Sequence, residues 1–257
     1  MTAPAWDPAQ YLKFGGERAR PALDLLARVP APSPGTVYDL GCGPGTVTAL
    51  LKRRWPEARI VGVDRSEPML AEARAKHPGV EFVQADIADF RPDAPANVIV
   101  SNAALHWLSD HARLFPALAR ALAPGGSLAV QMPHVNRQRS HLSMAESAGA
   151  GPWRTNAEAA LPRYPDHAAA DYYGWLAPLC HAVDIWEATY LHALSGPDAV
   201  LEWMKGAAMR PLLAALDDAA REGFLADYRA RLAREYPPRP DGITLFPFRR
   251  LFIVATT

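Results

Sequence analysis

The chain has 257 residues, 49% hydrophobic and 21% charged, the profile of an ordinary globular protein long enough to bury one large core. Lys plus Arg and Asp plus Glu each number 27, so the formal net charge is zero and nothing drives the whole molecule toward nucleic acid or an anionic membrane. No stretch approaches the ~20 apolar residues of a membrane helix, the N-terminus is too polar for a signal peptide, and Cys42 and Cys180 have no metal-ligand spacing, so the expectation is a reducing, cytoplasmic setting with no bound metal.

Residues 16 to 29 carry Leu23, Leu25, Leu26 and Val29 near helical spacing, with Pro21 tolerable in the first turn, and predict a short amphipathic helix. The run Pro30-Ala31-Pro32-Ser33-Pro34 cannot form a regular helix and reads as a stiff connector. Beyond it, apolar runs at 36–40, 58–64, 80–86, 96–102 and 127–132 predict buried strands. Helical stretches lie between them, one capped by Ser66 and one starting at Ser109 or Asp110, and Pro124-Gly125-Gly126 is expected to turn the chain into the fifth strand.

Strands alternating with helices need crossover connections, which predicts a mostly parallel sheet covered on both faces. A helix near 168–179, a strand near 181–191 and a last strand at 243–255 complete seven strands. The expectation is a single α/β domain over 1–257. It comprises an N-terminal cap segment (1–30), a ligand-binding core (36–132), a lid insertion (133–166), a helical insertion split near Pro211 (195–240) and the last strand.

The strongest local signal is Asp39-Leu40-Gly41-Cys42-Gly43-Pro44-Gly45 at a strand-to-helix junction. Gly41, Gly43 and Gly45 permit φ > 0 and close approach of a ligand, while the following helix N-terminus offers amides and positive partial charge. A dinucleotide loop has G-x-G-x-x-G, and counting from Gly41 puts Thr46 at the last glycine position, which disfavours pyrophosphate and a nicotinamide oxidoreductase. Asp39 instead offers a carboxylate suited to a cationic aminoacyl group, whose own carboxylate the loop amides could accept. Asp64 closes the second strand where such sheets meet ribose hydroxyls. Asp86 and Ile87, closing the third, offer an acceptor for an adenine amino group and an apolar face for its ring. Cys42 has no supporting His or Asp spacing and reads as a packing residue.

With these positions the sequence resembles the class I S-adenosylmethionine-dependent methyltransferases, whose cofactor signature is matched by Asp39, Gly41, Gly43, Gly45, Asp64 and Asp86. That resemblance implies a Rossmann-like fold, S-adenosylmethionine as donor and S-adenosylhomocysteine as product. Ser101-Asn102-Ala103-Ala104-Leu105-His106-Trp107 resembles the family's active-site edge, with Asn102 toward the cofactor and His106 and Trp107 facing donor and acceptor. Trp6-Asp7-Pro8, Tyr11-Leu12, Glu17 to Ala22, Gln131-Met132-Pro133, Val183 to Trp186, Thr189-Tyr190, Arg210-Pro211 and Arg250 to Ala255 resemble the trans-aconitate 2-methyltransferases. This closer likeness implies esterification of one carboxylate of a small tricarboxylic acid.

A carboxylate acceptor is already ionised at pH 7, its reference pKa being about 4, so no general base is required. Its other carboxylates call for cations and hydroxyls, and Arg meets a carboxylate in bidentate fashion. Candidates are Tyr11, Arg18, Arg20, Tyr172, Tyr190, Arg210 and Arg250; of Arg249 and Arg250, adjacent in a strand, at most one can aim at a given pocket. Other small-molecule acids, a hydroxyl acceptor with His106 as base, an amine acceptor, and a cofactor-binding regulator without turnover remain alternatives. The residues do not indicate an oligomeric state.

Overall fold

The computed structural model describes residues 15–206 and 208–257, with side chains from residue 20 onward. Strands β1 (Thr36–Leu40), β2 (Arg59–Asp64), β3 (Glu81–Gln84), β4 (Ala96–Asn102), β5 (Leu122–Pro133), β6 (Ala182–Ser195) and β7 (Ile243–Thr256) form one sheet in the order β3-β2-β1-β4-β5-β7-β6. The first five run parallel, and β7 joins β5 antiparallel. Strand order reverses between β1 and β4, the topological switch point at which open α/β sheets bind ligands beyond the carboxyl ends of their strands.

Helices α1 (Gly15–Leu26), α2 (Thr46–Arg54), α3 (Glu67–Lys76) and α4 (His111–Arg120) come close to their predicted positions. Asp110, not Ser109, caps α4 by accepting from Arg113 N–H. Ser66 occupies the cap position of α3 without a side-chain bond; its own N–H donates to Asp64 instead. Strand β3 stops two residues early, so Asp86 lies beyond it and caps a short 3-10 turn, Ile87–Asp89, by accepting from Ala88 N–H. Pro124-Gly125-Gly126 is no turn but a bulge inside β5, stitched to the C-terminus by Gly125 N–H to Thr257 O and Thr257 N–H to Gly126 O.

The segment expected as a lid, 133–166, forms α5 (Arg139–Ala150) and α6 (Arg154–Ala159), and α7 (Ala169–Leu176) follows. The later insertion holds three helices, α8 (Ala199–Lys205), α9 (Arg210–Ala214) and α10 (Asp218–Glu235); Pro211 sits in the first turn of α9, where its missing N–H costs nothing.

The described chain gathers into two compact units. One comprises 16–133, 164–188 and 250–257, and the other 134–163 and 189–249. In the second, α5 and α10 pack together, with Tyr228 OH donating to Ser140 O and Ser140 N–H to Tyr236 OH. In the first, one face of the sheet carries Tyr38, Leu40, Ile99, Val130, Leu251 and Ile253 against Phe115 and Leu118 of α4 and Tyr172 and Leu176 of α7. Each such side chain, removed from water, contributes about 1.5–3 kcal/mol. No described helix is long and apolar enough to cross a membrane.

Candidate functional site

The β1–α2 loop is held by its own chain. Gly41, Gly43 and Gly45 have φ of +76°, +53° and +82°, values L side chains rarely adopt. A Cβ on Gly41 would lie 2.2 Å from that of Ala104, whereas one on Gly43 would meet nothing within 4 Å among the described residues, which leave Gly43 open. Gly41 and Cys42 N–H donate to Val63 O, Gly45 N–H to Cys42 O, and Gly43 N–H to Asp64 Oδ2 at 2.9 Å. The expectation that loop amides donate to a ligand carboxylate is therefore corrected for these four: they donate within the chain, and the loop contributes shape and openness.

Asp39 is 1% exposed, and Thr48 Oγ1 of α2 donates to its Oδ2 at 2.6 Å. Burial, opposed by the Thr48 bond and reinforced by the neighbouring Asp64, pushes its carboxyl up to about 7. A buried carboxylate beside another carboxylate is costly alone and gains from a ligand cation. Asp64 accepts from Gly43 N–H on one oxygen and from Ser66 N–H on the other, which fixes its plane and leaves lone pairs for further donors. Ile87 Cδ1 lies 3.4 Å from the position of a Gly41 Cβ, so the apolar residue after Asp86 reaches the loop; Asp86 itself is exposed. Cys42 packs with Leu70, Ala73 and Phe82, and burial together with Asp39 and Asp64 pushes its thiol up, the opposite of an activated nucleophile.

Beyond β4 the chain passes through Ala103 at φ +55°, a strained geometry for alanine, with its N–H donating to Gln131 O. That bend brings Ala104 onto Gly41 and leads into the 3-10 turn Leu105–Trp107. His106 is buried and Trp107 is 47% exposed; both rings lie near Tyr164, at 5.5 and 5.3 Å between centroids. Tyr164, a single aromatic in a polar, Pro-rich segment that the sequence did not single out, packs beside both rings.

Across the sheet, Asn102 pairs in register with Gln131 and Gln131 with Phe252, on which Trp186 stacks at 4.8 Å. Arg250, two residues along β7, is 5% exposed, and its Nη1 donates to Gln131 Oε1 at 3.3 Å. Arg249 points to the other face, exposed, with Nη2 3.3 Å from His134 Nδ1. Of the other expected substrate residues, Tyr172 is corrected. Its hydroxyl lies in the apolar core, 2.7 Å from His111 Nδ1, while His111 Nε2 meets Leu105 O at 2.9 Å, so Tyr172 secures the turn before His106. Arg20 is exposed on α1, near Asp24. Tyr190, buried and stacked near His192, and Arg210, opening α9, belong to the second unit. Tyr11 and the Arg18 side chain lie outside the described residues.

Residues 37–126 match the family model of a methyltransferase domain. The chain is 52% identical over 251 residues to the trans-aconitate 2-methyltransferase of Methylobacterium nodulans, covering 97% of each chain. It is 49% identical to that of an Azoarcus species, covering 98% of this chain and 99% of the relative. Its fold is that of an S-adenosylmethionine-dependent methyltransferase from Mesorhizobium loti, with a TM-score of 0.53 and 23% identity over 95% of this chain and all of the other. The chain is a methyltransferase and belongs to the trans-aconitate 2-methyltransferase family.

Proposed function

We propose that the protein transfers a methyl group from S-adenosylmethionine to one carboxylate of a small tricarboxylic acid, trans-aconitate, giving a monomethyl ester. The observation that carries this reading is the near full-length identity with relatives of that name. Two features of the first unit support it. Asp39, a buried carboxyl whose charge is disfavoured by burial and by Asp64, stands two residues before the glycine loop, and a buried guanidinium, Arg250, stands on β7.

When bound, the donor supplies a methyl group on a sulfonium, open to in-line displacement. Asp39 would meet its ammonium, Asp64 its ribose, and Ile87 with Asp86 its adenine. The donor fits this chain because Gly43 leaves room, and Asp39 gains a counter-ion for the charge it otherwise holds at a cost. The acceptor oxygen arrives ionised, so the residues have no proton to remove, and their work is positioning and exclusion of water. His106, Trp107 and Tyr164 form the wall next to the reacting atoms. His106 needs no base role, and its imidazole contributes surface and a donor.

The test is a panel of di- and tricarboxylic acids with methyl-labelled donor and the purified protein. The expected product is a base-labile monomethyl ester of trans-aconitate. Label on a hydroxyl or amine, or on none of the acids, overturns the reading.

A further inference from the structure

We propose that Gln131 is a specificity-determining residue whose side-chain amide donates to an acceptor carboxylate other than the one that is methylated; this rests on the carboxylic acid acceptor proposed above. Gln131 is the one polar residue in the buried stretch Leu128 to Met132 of a central strand, and it is 0% exposed. A polar side chain there is costly unless its groups are satisfied.

The neighbours determine which way its amide faces. Arg250 has only donors, so the Gln131 atom 3.3 Å from its Nη1 must be the oxygen, and Nε2 is directed elsewhere. Nε2 is buried and has no hydrogen-bond partner among the described residues. Beside it in register, Asn102 Oδ1 is likewise buried and without a partner there. A donor and an acceptor left open on adjacent strands, at the carboxyl ends next to the switch point, describe a place finished by a ligand.

The row assigns a role to each side of that ligand. Nε2, on the side of the amide away from Arg250, presents a donor, which suits a carboxylate. On β4, Asn102 Oδ1 presents an acceptor, which suits a donor group of the cofactor. Phe252 and Trp186, continuing the row, supply an apolar wall to one side. A neutral amide held by an arginine donates to a carboxylate, whereas a glutamate in its place would pair with Arg250 and repel one.

The variants are Gln131→Met, close in shape but lacking the amide, and Gln131→Glu. In the wild-type protein and each variant, S-adenosylhomocysteine affinity is measured by calorimetry. The kcat and KM for trans-aconitate are measured beside those for a dicarboxylic analogue lacking one carboxylate. The expected result is unchanged S-adenosylhomocysteine affinity, a KM for trans-aconitate raised about 10- to 100-fold in Gln131→Met, and a larger loss in Gln131→Glu. For the analogue missing the recognised carboxylate, Gln131→Met should cost no more than threefold, a coupling that a merely structural residue does not produce. Should Gln131→Glu fail to fold, Gln131→Met carries the test.

A KM within threefold of wild type in folded Gln131→Met overturns the proposal. So does an equal loss for tricarboxylic and truncated acceptors, or a fall in cofactor affinity matching the rise in KM. Failure of the wild-type protein to methylate any acid overturns the parent reading and this proposal with it, and is seen without any variant.

Discussion

The two ends of the crevice are built in opposite ways. At the β1–α2 loop, the amides of Gly41, Cys42, Gly43 and Gly45 and both oxygens of Asp64 are satisfied within the chain, so the loop holds its shape before any ligand arrives. At the β4–β5–β7 end, Gln131 Nε2 and Asn102 Oδ1 are buried and open among the described residues. Under the proposed function, the contrast means that the donor site is preorganised by backbone geometry, whereas the acceptor side is completed by what binds there. The exception at the loop end is Asp39, whose buried carboxyl is held up near 7 and stands to gain from a cation.

Asp39 therefore gives the largest expected effect. Asp39→Asn should weaken S-adenosylhomocysteine binding about 100-fold, since it removes a buried charge from a charge-assisted contact. In the wild-type protein the affinity should rise with pH from 6 to 8 and then level. Below about 7 a proton must leave Asp39 before an ammonium can pair with it, at about 1.4 kcal/mol per pH unit. Stability runs the other way. The folded pKa is raised, so the native state binds more protons than the unfolded one between about 4 and 7, and ligand-free stability falls as pH rises through that window. Asp39→Asn should lose that slope and melt several degrees higher than wild type at pH 8. Calorimetric titration and thermal denaturation across pH read both.

The glycines separate shape from openness. Gly41→Ala puts a methyl 2.2 Å from Ala104 at positive φ and should cost about 2–4 kcal/mol of stability. Gly43→Ala carries only the backbone strain, about 1 kcal/mol, because no described residue lies within 4 Å. Its methyl should instead lower cofactor affinity about tenfold by occupying the open face. Equal melting temperatures for the two variants would break the distinction.

His106→Ala should lower kcat by about tenfold through lost positioning and leave turnover measurable. Abolished turnover would point to a base and a protonated acceptor. The smallest effect is expected at Tyr172→Phe. Losing the hydroxyl bonded to His111 should cost about 1 kcal/mol of stability and leave KM for the acid within threefold of wild type.

The parallel core was legible because its strands are apolar runs of the right length between helical stretches, and β4 is found at its predicted limits. Features fixed by pairing across the chain were not. Pro124-Gly125-Gly126 reads locally as a turn, yet Thr257, more than 130 residues away, makes it part of a strand. A Cβ on Gly126 would lie 2.8 Å from Ala123 O, so glycine there serves the bulge. In the site, Asp39, Asp64 and the glycines announce themselves by position in a short motif. The role proposed for Gln131 depends on its register with Asn102 and on the proximity of Arg250, contributed by β7 119 residues later. Tyr172 misled for the same reason, since His111, which fixes its role, lies 61 residues away.

Calorimetric titration of trans-aconitate into protein saturated with S-adenosylhomocysteine, beside the same titration with its trimethyl ester, tests most directly whether buried donors read carboxylates next to a preformed donor site. The acid should bind and the ester should bind at least 100-fold more weakly. Equal binding of the two, or no binding of the acid, would contradict the account.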